Sequence, residues 1–196
     1  MRVRDELKEK LIRDKAIQLI VEKGFDGLSM QKLARAAGVS PATIYIYFKD
    51  HEDLIERISI EEVDKMTQAT LKGFTPNMPF QKGLRKQWEN RLDFWMKNPA
   101  TARFMEQVKH SPIGHKVQMR VKQEFSEIME QFVKNSIKRK ELIKLPIEVY
   151  WSVAYAPLYS LIKFHLDGKS IGGRPFSLDK KTFNAAFKTV IKALKP

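Results

Sequence analysis

Apolar residues return every three or four positions along nearly the whole of this 196-residue chain, and nowhere do they alternate with polar ones as a half-buried strand requires. That periodicity confines the fold to packed helices. Leu7, Leu11, Ile12, Ala16, Leu19 and Ile20 form one stripe, expected to be buried along a first helix that ends near Gly24. Ser29 is placed to cap a second helix, which Gly38 stops because it adopts positive φ freely. Ser40 followed by Pro41 starts a third: a hydroxyl that accepts from free backbone N–H groups, then a ring that fixes φ where no donor is needed. A fourth runs from about Glu52 to Lys72 and is ended by "GFTPNMP". Five more segments follow, at roughly 80–97, 99–109, 115–140, 146–166 and 179–194, so the expected fold is all-α with about nine helices.

The Gly- and Pro-bearing break near residue 75 divides the chain. Residues 1–50 are expected to be one domain, helix 52–72 a connector, and residues 74–196 a second domain, a length sufficient for two hydrophobic cores. Lys and Arg number 36 against 23 Asp and Glu, a net charge of +13 that predisposes the protein toward polyanions. The excess does not locate a site, because residues 1–49 hold ten basic and six acidic side chains and the remainder 26 and 17. Cysteine is absent, which excludes disulfides and thiolate metal sites. The N-terminus "MRVRDELKEKLIRDK" is too charged for a signal peptide, and no apolar run approaches the ~20 residues that cross a bilayer. A cytoplasmic protein without membrane contact is expected.

The stretch "GVSPATIYIYFKD", residues 38–50, carries the functional signal. On a helical wheel Pro41, Ile44, Tyr45 and Phe48 share one arc and Ala42, Thr43, Ile46 and Tyr47 the other, with Ile44 and Phe48 directed into the core. The second arc is expected to be exposed, which leaves an isoleucine and a tyrosine without an obvious partner. Two short helices joined at "AAGVS" and preceded by a third form a helix-turn-helix, with Ala37 and Gly38 at the tight corner. A helix in that position enters the major groove of DNA, where small and apolar side chains approach thymine methyl groups and hydroxyls reach bases or phosphates.

Residues 10–54, "KLIRDKAIQLIVEKGFDGLSMQKLARAAGVSPATIYIYFKDHEDL", resemble the N-terminal DNA-binding domain of the tetracycline-repressor (TetR) family of bacterial transcriptional regulators. The positions that carry the resemblance include Ile12, Ala16, Gly24, Phe25, Ser29, Leu33, Ala34, Ala37, Gly38, Val39, Ser40, Thr43, Tyr45, Tyr47, Phe48 and Leu54, in preserved order and spacing. The resemblance implies that Pro41, Ala42, Thr43 and Ile46 read bases, and that Ser29, Tyr45, Tyr47 and Lys49 hold the phosphate backbone, with Ser40 opening the recognition helix. His51 stands where the family usually has Lys, which implies a weaker phosphate anchor that needs protonation. Arg2 and Arg4 are candidates for an arm along a groove.

A single module of this size binds weakly, so two copies at a fixed separation are required and the second domain must carry a dimer surface. Segment 146–166 is apolar nearly all round and 179–194 has a narrower stripe; by resemblance these last two helices form a four-helix homodimer interface. Pro157 should kink the first of them. The resemblance further implies a largely apolar effector in a cavity among the middle helices, with Trp88, Leu92, Trp95, Phe104, Met105, Met119, Phe125, Met129, Tyr155 and Tyr159 as candidate lining. The partners implied are double-stranded DNA, a small molecule and a second copy of the chain, with no cofactor.

Enzymatic signals are missing. His51, His110, His115 and His165 contain no i, i+4 metal pair, and "DGKS" at 167–170 lacks the earlier glycine of a phosphate-binding loop, since Lys163 occupies that place. The expectation is a ligand-responsive DNA-binding regulator, most simply a repressor, with no catalytic and no metal site. The alternative is a constitutive DNA-binding or architectural protein whose second domain only dimerises.

Overall fold

The computed structural model describes residues 5–118 and 123–196. The described residues are all-α: α1 (Glu6–Lys23), α2 (Met30–Ala37), α3 (Pro41–Tyr47), α4 (His51–Leu71), α5 (Phe80–Lys97), α6 (Pro99–Lys109), α7 (Gly114–Gln118), α8 (Gln123–Lys138), α9 (Ile147–Ala154), α10 (Ala156–Asp167) and α11 (Lys180–Leu194), with short 3-10 turns at Phe25–Gly27 and Ile171–Gly173. Segment 146–166, expected as one kinked helix, is two. α9 ends at Ala154, Tyr155 leaves helical geometry (φ −126°, ψ −33°), and Pro157 lies in the first turn of α10, where its missing N–H costs no helical bond.

The chain forms two compact units. The first comprises residues 5–65 with 98–118, the second 66–97 with 123–196, so the division falls inside α4. The second unit is therefore not the unbroken stretch 74–196: α6 and α7 supply core to the first. There, Phe104, Val108, Ile113 and Val117 are buried together with Ile12, Ala16, Ile20, Leu33, Ile44, Phe48, Leu54 and Ile58. The expected stripe on α1 is corrected as well. Leu7 and Leu11 are exposed, and the helix buries Ile12, Ala16, Ile17 and Ile20, a tighter stripe at i, i+4, i+5 and i+8.

The second unit is built around aromatic contacts. Phe132 of α8 meets Phe74 edge-on and stacks on Phe80, while Trp88 of α5 is met edge-on by Phe183 and Phe187 of α11. Gly83 in the first turn of α5 admits the Phe132 ring: a Cβ there would stand 2.5 Å from the ring edge, so no larger residue fits without a shift. Glu141 accepts from the backbone N–H of Phe80 (2.8 Å), which satisfies a donor at the start of α5. No described helix is long and apolar enough to cross a membrane.

Candidate nucleic-acid interface

Local chemistry fixes the corner between α2 and α3. Ser29 caps α2 by accepting from the N–H of Lys32 (3.2 Å). Gly38 is left-handed (φ 65°, ψ 32°), its N–H donating to Arg35 O (3.2 Å) while that of Val39 donates to Ala34 O (3.0 Å). This pair of bonds satisfies carbonyls at the end of α2 and turns the chain sharply. Ser40 then caps α3, accepting from the N–H of Thr43 (3.2 Å), with the two hydroxyls 2.9 Å apart.

α3 is anchored by its inner side. Ile44 and Phe48 are buried as expected, but so is Tyr47, at 6% exposure. The Tyr47 hydroxyl meets the backbone of Asp5 at the start of α1, accepting from its N–H (3.2 Å) and donating to its carbonyl (3.3 Å). Arg57 of α4 donates to Tyr47 O (2.5 Å) and lies over the Phe48 ring, 5.0 Å from its centroid. The expected exposed arc is thus corrected: Tyr47 faces inward and Tyr45, placed on the core arc, is 55% exposed. The reason is geometric, since Ile44, Tyr47 and Phe48 stand at i, i+3 and i+4. What remains outward on α3 is Pro41, Ala42, Tyr45 and Ile46, the last 48% exposed, with Thr43 half-buried and Lys49 exposed just beyond.

The start of α4 is capped by its own carboxylates. Asp50 accepts from the N–H of Asp53 and Asp53 from that of Lys49, both at 2.9 Å, so two carboxylates already occupy the positive end of this helix. His51 is half-buried, and its Nε2 is buried with no hydrogen-bond partner among the described residues. α4 is fastened to α1 by charge: Glu9 accepts from Arg13 (2.7 Å) and from Arg57 (3.3 Å), and Arg13 also pairs with Glu61. Glu62, nearly buried, pairs with Lys65 and accepts from Thr101 of α6.

The candidate cavity residues separate. Trp88, Leu92, Trp95, Phe125, Met129, Tyr155 and Tyr159 belong to the second unit, whereas Phe104 is fully buried in the first and Met105 packs against that same core. Met119, Arg2 and Arg4 lie outside the described residues. Sequence reasoning missed Gln87, Arg91 and Tyr150, all buried in the second unit. A signal existed, since Arg91 stands on the stripe of Leu84, Trp88 and Trp95, where a charge is out of place.

A tight glycine corner, a capped short helix held by its inner face, and an outward face rich in apolar and hydroxyl groups define a helix-turn-helix protein joined to a second helical unit. Residues 12–58 match the family model "Bacterial regulatory proteins, tetR family". An uncharacterized HTH-type transcriptional regulator of Haemophilus influenzae is 36% identical over 96 residues, 48% of this chain and 51% of that protein, so the match spans about half the length of that relative. A TetR family transcription regulator from Marinobacter aquaeolei superposes with a TM-score of 0.77 at 28% identity, covering 99% of this chain and 98% of the other. A TetR family protein from Vibrio parahaemolyticus gives 0.77 at 26% identity, covering 95% and 98%. Residues 12–58 are therefore a TetR-family DNA-binding domain, and the fold of the chain is that of TetR-family transcription regulators.

Proposed function

We propose that this protein is a ligand-responsive transcriptional repressor that binds a pseudo-palindromic operator as a homodimer, with α3 in the major groove. The observation that carries this reading is the outward face of α3, where Pro41, Ala42, Tyr45 and Ile46 are exposed although three are wholly apolar and the fourth is aromatic. Ala42, Ile46 and Pro41 offer no hydrogen bond to guanine or adenine, and the helix holds no Arg, Asn or Gln; each bidentate pair it forgoes would contribute ~1–3 kcal/mol of discrimination. Operators with T·A pairs opposite these residues follow. Ser29, Thr43, Tyr45 and Lys49 are assigned to hydroxyl and phosphate contacts. The burial of Tyr47 leaves it the role of locking α3 to α1, and His51 contributes little.

The second unit is assigned to dimerisation and effector binding, with α4, whose residues are divided between the units, as the connector. Dimerisation is supported by exposed apolar residues on α9, namely Ile147, Val149 and Trp151. The outward side of α11 instead bears Lys181, Lys188 and Lys192, so the interface draws on α9 as well as the last two helices. Trp151→Glu is expected to shift the protein toward monomer in analytical ultracentrifugation.

Selection from a random duplex library, followed by gel shifts at several salt concentrations, tests the reading. The expected product is a T·A-rich palindrome with half-site centres ~34–36 Å apart. Single G-rich sites bound by a monomer would overturn it.

A further inference from the structure

The interior of the second unit holds an arginine with no counter-charge among the described residues. Arg91, in the middle of α5, is 1% exposed. Its Nε donates to the Tyr159 hydroxyl (3.1 Å), its Nη1 to Gln87 Oε1 (3.0 Å) and to the Gln87 carbonyl (3.4 Å), and its guanidinium carbon lies 4.5 Å from the Tyr155 ring centroid. All four partners are neutral. No Asp or Glu carboxylate among the described residues lies within 4.0 Å, although buried charges are ordinarily paired.

Two neighbouring donors share the deficit. Gln87 is 0% exposed, and its Oε1 accepts from both Arg91 and the Tyr155 hydroxyl (2.6 Å). Those two donors fix the amide orientation and leave Nε2 buried with no acceptor among the described residues. Trp95 Nε1 is likewise buried without an acceptor among the described residues. Gln87, Arg91 and Trp95 are spaced i, i+4 and i+8, so one face of α5 carries a cation and two orphan donors. Burial raises the Tyr155 hydroxyl and pushes that of Tyr150 well above the ordinary phenol value, so neither supplies a negative charge.

We propose that this face of α5 binds the head group of an anionic effector, a carboxylate borne on an apolar body, with Arg91 and Gln87 as the residues that receive it. This rests on the effector-binding reading given above and adds the chemical class. A carboxylate brings what the cluster lacks: one negative charge and lone pairs for the guanidinium fork and the Gln87 amide. Tyr159, bonded to Arg91, is half-buried, and the rings of Tyr155 and Tyr150 supply apolar surface beside the guanidinium. Tyr155, bonded to Gln87, is also the residue at which α9 gives way to α10, so a head group that engages Gln87 acts on that junction.

Calorimetric titration of the full-length protein with decanoate and phenylacetate, each against its uncharged counterpart 1-decanol or 2-phenylethanol, tests the assignment. Wild type should bind at least one acid about tenfold or more tighter than its alcohol. Arg91→Met should erase that preference, with its far-UV spectrum and thermal melt reporting whether the fold is kept once Gln87 and Tyr159 lose this donor. Should Arg91→Met fail to fold, Arg91→Lys serves: it keeps the charge, loses the fork, and should lower acid affinity while preserving preference over the alcohol. Equal binding of acids and alcohols, or an undiminished acid preference in Arg91→Met, overturns the anionic assignment but leaves effector binding intact. If neither acid binds wild type, the carboxylate class is wrong; if in addition no alcohol alters the gel shift, the effector reading loses its support too.

Discussion

The two units carry residues that packing alone does not explain, and they do so in opposite ways. In the first, the misfits are apolar and exposed, Tyr45 and Ile46 on α3; in the second they are polar and buried, Gln87 and Arg91 on α5. A surface that meets a large partner keeps apolar groups outward because the partner covers them, whereas a site that encloses a small molecule keeps polar groups inward because the ligand completes them. On the proposed reading the two units differ in direction: the first faces outward onto a duplex, the second inward onto a head group.

The contrast is most severely tested at Phe104, which sequence reasoning placed beside an effector cavity and the structure buries in the core of the first unit. Phe104→Ala should cost ~3–5 kcal/mol, read by chemical denaturation, with hydrogen exchange accelerated in α1 and α4. A mild loss with altered effector affinity would return this residue to the cavity. Next in size, Ile46→Glu sets a carboxylate against the duplex and should weaken operator binding by ~100-fold, about 2.7 kcal/mol, while stability changes by less than ~0.5 kcal/mol. An equal loss of stability would mean that α3 is merely a packed helix.

Smaller effects refine the picture. Tyr47→Phe removes the bonds to Asp5 and should lower stability by ~1 kcal/mol, with a smaller effect on DNA affinity than Tyr45→Ala. Were Tyr47 a phosphate contact, the order would reverse. Glu141 gives the smallest signal. The backbone N–H of Phe80, followed by Arg139, holds its carboxyl below the ordinary glutamate range. Its folded value is below its unfolded one, so the stabilisation is complete above the ordinary range and is lost as pH falls through the folded value. Glu141→Gln should therefore flatten the acid limb of the stability profile, measured by thermal melts across that range.

What the sequence disclosed follows from how local each feature is. Ser29, Gly38, Ser40 and Pro41 act within four residues of themselves, so the limits of α2 and α3 were readable from the chain. Pro157 announced a break in the same way, though not that Tyr155 would leave helical geometry altogether. The orientation of Tyr47 depends on Asp5, 42 residues away, and a wheel centred on the wrong residue exchanged it with Tyr45. The assignment of α6 to the first unit is likewise a long-range fact, set by Phe104 and Val108 joining that core. Arg91 escaped notice because a charge in an amphipathic pattern is ordinarily read as surface.

The central claim is that the outward face of α3 enters DNA. Hydrogen–deuterium exchange of the full-length protein, with and without its library-selected duplex, tests it most directly. Protection concentrated on residues 40–50, with the amides of α5 unchanged, is the predicted result. Duplex binding that leaves residues 40–50 unprotected and slows exchange elsewhere would contradict the account.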